Sequence, residues 1–233
     1  MNNIFNKIRE HRLSIVILII GLFAGIIVSE GLSAYISSDY KYTHSHRSLV
    51  SIVLIIGKLL GGFIAGFTTA FALKIFTKNN LSWTDVLIIS FLTSVTWGIV
   101  LKTLLTGIST VLFKLTFDYN YMYNPLVWIN QNKGVVKFNS LLSQSLSYLI
   151  TTVVTSTITF MIPERIKNMV SKKELFVLVA VWSLPVLITS IISHIVFWGL
   201  EFTGKMIIVD TFALTLSATI SFLYTAYKLE NRV

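Results

Sequence analysis

Residues Leu49 to Phe76, LVSIVLIIGKLLGGFIAGFTTAFALKIF, constrain this chain more than any other stretch. Roughly 20 apolar residues cross a bilayer, and this run is longer, with Lys58 deep inside it and Lys74 near its end. Its small residues fall at helix-packing spacing, Gly57 with Gly61 and Gly62 with Gly66. A spacing of four places each pair on one helix face, where a second backbone can approach closely. The stretch therefore predicts a membrane helix that acts as a centre of assembly.

Composition extends this reading to the whole chain. Of its 233 residues 54% are hydrophobic and only 12% charged. A soluble domain carries about 25% charged residues, so the expectation is a single integral membrane domain over residues 1–233. The absence of cysteine excludes a disulfide framework, a thiolate metal site and a cysteine nucleophile. The net charge of +9 is not a nucleic-acid signal here, because Lys and Arg collect in the cytoplasmic segments of membrane proteins. Met1 to Arg12 is basic, but no small-residue cleavage site follows the first apolar run, which reads as an uncleaved helix.

Six apolar segments follow in order: Leu13–Ile36, Leu49–Phe76, Trp83–Leu104, Ser140–Ile162, Glu174–Gly199 and Met206–Leu229. The predicted fold class is all-α, a polytopic transmembrane helical bundle of about six spans. Lys7, Arg9, Arg12, Lys74, Lys78, Arg165, Lys167, Lys172, Lys173, Lys228 and Arg232 gather at one set of ends. The opposite set holds Lys41, Arg47, Lys114, Lys133, Lys137 and Lys205. The denser set predicts that both termini are cytoplasmic.

Several stretches add local expectations. Ile4, Phe5 and Ile8 lie on one side of the basic N-terminal segment, which reads as the positive flank of the first span. His44 and His46 near Asp39 are an i, i+2 pair in a polar loop, short of the ligand set of a tetrahedral metal site. Over residues 103–117, Leu104, Leu105, Ile108, Val111, Leu112 and Leu115 oppose Thr106, Ser109, Thr110 and Lys114. This pattern predicts an amphipathic helix on the outer surface, continuous with or kinked from the third span. The loop DYNYMYNPLVWINQNKG is rich in aromatics that favour the headgroup level.

The fourth span carries a hydroxyl and amide stripe, Ser140, Gln144, Ser147, Thr151, Thr155 and Thr159. Such side chains pack against neighbouring helices or line a cavity, with packing the default. Pro185 in the fifth span removes one helix hydrogen bond, kinks the helix and frees a carbonyl for another partner.

The second-to-third hairpin, shifted by 89 positions, overlies the fourth-to-fifth: Phe71 on Phe160, Lys78 on Lys167, Ser82 on Ser171, Asp85 on Glu174, and Ser94 on Ser183. Both hairpins have one orientation, so this would be a parallel repeat. The basic start IFNKIREHR, the segment KKELFVLVAVWSLPVLITSII around Pro185 and the tail ISFLYTAYKLENRV together resemble the Yip-domain family of Ypt/Rab-interacting membrane proteins and their bacterial relatives. That resemblance implies membrane trafficking or organisation and supplies no catalytic residues.

No HExxH, GxSxG or Walker-type loop is present, so no enzyme chemistry is expected and neither cofactor nor metal is called for. Ionisable residues concentrate near one leaflet. Lys58, roughly 13 Å inside the outer end of its span by helix rise, is expected to form a polar cluster with Glu30, His194 and Asp210. Glu201 and Lys102 sit at the membrane edge, where charges snorkel.

Two functions follow. One is a non-enzymatic membrane component, a small subunit or organiser in a transport, secretion or immunity assembly, partnered by the bilayer and by other membrane subunits or its own copies. The alternative is a small transporter or channel with an outward-facing polar cleft around Lys58. The bacterial cytoplasmic membrane is the expected location.

Overall fold

The computed structural model describes residues 12–31, 47–76, 81–116, 131–197 and 204–230. The N-terminal basic segment, the loop with His44 and His46 and most of the aromatic loop after Thr116 lie outside the described residues.

Six long helices make up most of the described residues. Helix α1, Arg12–Ile26, continues through a π turn at Ile27–Gly31. Helix α2 is Arg47–Phe76. Helix α3, Trp83–Thr116, contains a second π turn at Thr96–Val100. Helices α4, α5 and α6 are Lys133–Met161, Lys172–Phe197 and Gly204–Glu230, with a short helical turn, Glu164–Met169, between α4 and α5. Five of the six are long and apolar enough to span a membrane. The sixth matches the last expected span, and its described apolar stretch, Thr211–Thr225, is shorter. The protein is an integral membrane protein with an all-α helical bundle fold.

The two cytoplasmic-side turns expected from sequence are built alike. Ser82 caps α3: its hydroxyl accepts the backbone N–H of Asp85 at 3.0 Å, and the Asp85 carboxylate accepts the Ser82 N–H at 3.0 Å. Ser171 and Glu174 repeat the arrangement at the start of α5. These reciprocal caps satisfy donors that a helix start leaves orphaned. Helix starts 89 residues apart thus use the same device, as the repeat predicts. The correspondence does not extend to tertiary roles: the Ser94 hydroxyl donates to the Leu59 carbonyl on α2, whereas Ser183 donates to Val179 on its own helix.

Each helix packs antiparallel against the next in chain order, and α6 closes on α1, so the six form a ring. Small residues set the closest approaches. A Cβ added at Gly25 of α1 would stand 2.7 Å from the Gly61 carbonyl oxygen, and one added at Gly61 would meet the Gly25 carbonyl oxygen and Ser29. Gly62 and Gly66 serve the other neighbour: added Cβ atoms there would lie 3.0 Å from Ser94 Cα and 2.7 Å from Thr93 Cβ of α3. Gly61 is thus turned to α1 and the Gly62–Gly66 pair to α3.

The ring is filled solid at the end carrying Arg12, Lys172 and Lys228. Leu18, Leu22, Leu73, Phe76, Phe160, Leu178 and Phe222 pack there from five helices. Phe76 meets Phe222 edge-on with ring centroids 6.1 Å apart, and Phe160 meets Trp182 at 6.4 Å. Lys74 is itself buried at this end; its ammonium donates to the Leu81 carbonyl and lies 5.2 Å from the centre of the Trp83 ring.

The third and fourth expected spans differ most from their sequence-based bounds. Residues 101–116 continue α3 without a break in helical structure, and α4 begins at Lys133. The two run on together: Ser143 donates to the Leu105 carbonyl at 3.3 Å and the Asn139 amide to the Thr116 hydroxyl at 2.7 Å. Of the apolar stripe of 103–117, Leu104, Leu105, Ile108 and Leu112 are half-buried, whereas Val111 and Leu115 are exposed.

Candidate functional site

A cavity of about 110 Å³ lies inside the ring, and all six helices line it. Helix α1 contributes Gly25 and Ser29, α2 contributes Gly61, Gly62 and Gly66, and α3 contributes Thr93 and Trp97. Helix α4 supplies the longest wall, Tyr148, Thr152, Thr155, Ser156 and Thr159. Trp182 and Val186 of α5 and Leu214 and Ala218 of α6 complete it. Leu22 and Trp182 border both the cavity and the packed end, so the core forms its floor.

The cavity's position follows from the glycines. Side chains at 61, 62 and 66 would collide with the neighbouring helices, so these positions let α1 and α3 approach α2 closely beside the cavity, where Ala65 and Thr69 also line it. The two π turns stand at the same level on either side of α2: Ser29 of the first faces Gly61, and Trp97 of the second faces Gly62. Single π turns in α-helices are frequent at functional sites because they re-aim side chains out of the regular 3.6-residue register.

The wall carries many hydroxyls yet its surface is mostly carbon. Thr152 donates to the Tyr148 carbonyl at 2.7 Å, Thr155 to Thr151 at 2.8 Å, Ser156 to Thr152 at 2.7 Å and Thr159 to Thr155 at 2.9 Å. On α2, Thr69 donates to Ala65 at 2.8 Å. With each donor directed back along its own helix, as such side chains do in helix interiors, these hydroxyls keep only acceptor capacity toward the cavity. Thr155 also meets Thr96 across the helix pair at 3.0 Å. Trp97 and Tyr148 hold ring centroids 5.8 Å apart, and the Trp182 indole N–H donates to Thr225 at 2.9 Å.

The expected hydroxyl stripe of α4 splits between two roles. Thr155 and Thr159 line the cavity. Ser147 and Thr151 are fully buried with their hydroxyls unpaired among the described residues. The cavity wall is rotated by one residue from the stripe, which is why Thr152 and Ser156 belong to it. Trp97, Tyr148 and Trp182 carry no sequence signal that separates them from ordinary span aromatics.

Lys58 is half-buried, one helical turn before Gly62, and is not among the lining residues. Gly57 is buried. Glu30, His194 and Asp210 fall within helical segments, and their side chains lie outside the described residues, as does the expected polar cluster they would form. Pro185 sits inside an unbroken α5, and the Ser221 hydroxyl of α6 donates to the Val181 carbonyl at 2.8 Å. That carbonyl is the one a proline at 185 leaves without its helix partner, so the expected free acceptor finds its donor on the next helix.

No protein-family model matches this chain, and neither a curated protein nor a solved structure matches it significantly.

Proposed function

We propose that the protein is a non-enzymatic multi-pass component of the bacterial cytoplasmic membrane, a small subunit or organiser within a transport, secretion or immunity assembly. The observation that carries this reading is the length of the α3–α4 pair. A helix of 34 residues is about 51 Å long, against a hydrocarbon layer of about 30 Å. Tilts of up to about 40° leave such a helix outrunning the bilayer. The arm beyond it carries Lys114, Lys133 and Lys137, with no acidic residue from Leu101 to Thr116 or from Gln131 to Gln144. Val111, Leu115, Val135 and Phe138 are exposed beside these lysines. Basic and apolar groups together suit an acidic partner subunit with an apolar contact patch. A Yip-like organiser is the form of this reading that the sequence resemblance favours.

A second reading, a small transporter or channel, draws on the cavity that all six helices line. Its mostly carbon surface and its packed floor favour the first reading, since a solute path needs polar groups and an exit at both ends.

The test is purification from native membranes in mild detergent with quantitative mass spectrometry. The wild type is expected to bring down a stoichiometric membrane partner that the Lys114→Glu, Lys133→Glu, Lys137→Glu variant loses. A lone chain that moves solute in liposomes would install the second reading instead.

A further inference from the structure

We infer that the cavity inside the six-helix ring is a binding site for an uncharged hydrocarbon moiety, an aromatic ring or a short acyl-chain segment. This goes beyond the assembly reading and does not depend on it.

Size sets the first limit. Drug-sized ligands occupy about 300–1,000 Å³, whereas an apolar protein cavity of about 150 Å³ stays dry and takes up benzene. At about 110 Å³ the ring interior admits one small ring or a few methylenes. Chemistry sets the second. A trapped water needs two to four polar partners, and Thr152, Ser156 and Thr159, whose hydrogens go to their own helix, offer the space acceptor lone pairs but no donor. No charged side chain lines the cavity among the described residues. Trp97 and Tyr148 present rings, and Trp182 has its polar N–H committed to Thr225. What faces the space is mostly carbon.

The backbone supplies a third, independent pointer. Two π turns border this one cavity, and Ser29 and Trp97 reach it from them. Both departures from α-geometry coincide with the one place where α2 carries glycines against both neighbours.

The hydrocarbon has two sources, a lipid chain from the bilayer or a free apolar molecule, and bromine quenching of tryptophan separates them. Replacing Trp83, Trp128 and Trp198 with Phe leaves Trp97 and Trp182, both on the cavity wall, as the only tryptophans. In nanodiscs this full-length protein is expected to lose emission saturably with bromobenzene, and excess toluene is expected to restore it. Ala218→Leu, and separately Ala65→Leu, should remove the saturable phase by filling the space; toluene competition reads the same site should either variant fail to fold. Quenching by dibrominated phosphatidylcholine that toluene relieves would identify the bilayer as the source, and its absence a free molecule. Saturable quenching by 4-bromobenzylammonium alone would overturn the hydrocarbon class while keeping a ligand site. Quenching that rises only linearly with every probe would overturn the site itself. Neither result touches the partner captured by co-purification.

Discussion

The Ser221 hydroxyl donates a hydrogen bond to the carbonyl of Val181, 2.8 Å away on the neighbouring helix, at the position where Pro185 interrupts the α5 hydrogen-bond ladder. The same hydroxyl lies 2.9 Å from the Ser217 carbonyl on α6, so it bridges two helices. Thr189 reinforces the contact one turn on, 2.8 Å from the Ser217 hydroxyl. A proline tolerated inside a spanning helix is here coupled to the docking of the next one.

That coupling is measurable. Ser221→Ala should cost about 1 kcal/mol of stability, the usual net value of one hydrogen bond. In a Pro185→Ala background the Val181 carbonyl regains an N–H from its own helix, and the serine change should cost less. A double-mutant cycle on thermal or denaturant unfolding in detergent reads the difference. Equal costs in both backgrounds would show that proline and serine act separately.

Replacing Gly61 or Gly62 with Leu should lower both the yield of folded protein and its melting temperature. Even an added Cβ at Gly61 collides with the Gly25 backbone, and at Gly62 it presses on Ser94. Overpacking of this kind typically costs about 1–3 kcal/mol per site. Gly107 has open space where its Cβ would be, so Gly107→Ala should be neutral or stabilising by about 0.5–1 kcal/mol. Silent leucine variants at both 61 and 62 would mean that the α1–α2–α3 contacts do not hold the ring together.

Orientation is tested on a chain that lacks cysteine. Cysteines placed at Ser45 and Asn132 should react with an impermeant thiol reagent in intact cells, and one at Lys172 should not. Asn132 precedes α4 at the end opposite the Ser171 cap of α5, so the two sites report on opposite ends of the ring. Labelling at Lys172 with protection at Asn132 and Ser45 would invert the topology.

Lys58 provides the fourth test. If it pairs with Asp210 or Glu30, removal of one member leaves a charge at membrane depth and costs more than removal of both. Lys58→Met, Asp210→Asn and Glu30→Gln should each lower thermal stability, and the double variant of the true pair should recover part of the loss. Strictly additive losses in both double variants would dissolve the cluster.

Membrane character, helix number and turn chemistry are local properties, and the sequence determined them alone. A run such as Leu49–Phe76 has one stable solution in a bilayer because every backbone group must be satisfied within its own segment. The Ser-x-x-acid pattern at Ser82–Asp85 and Ser171–Glu174 closes a cap within four residues, and Pro185 deletes one hydrogen bond at a countable place. The tertiary structure decided what faces what. Apolar residues look the same in sequence whether lipid or protein covers them, so the pattern of residues 103–117 foretold a helix continuous with or kinked from the third span, but not that α4 would run beside it. Nor could spacing separate Thr151, buried in packing, from Thr152 on the cavity wall, since one helical step and the ring's closure by α6 divide them. The cavity belongs to six helices at once, and only their mutual approach, set by the glycines of α2, creates it.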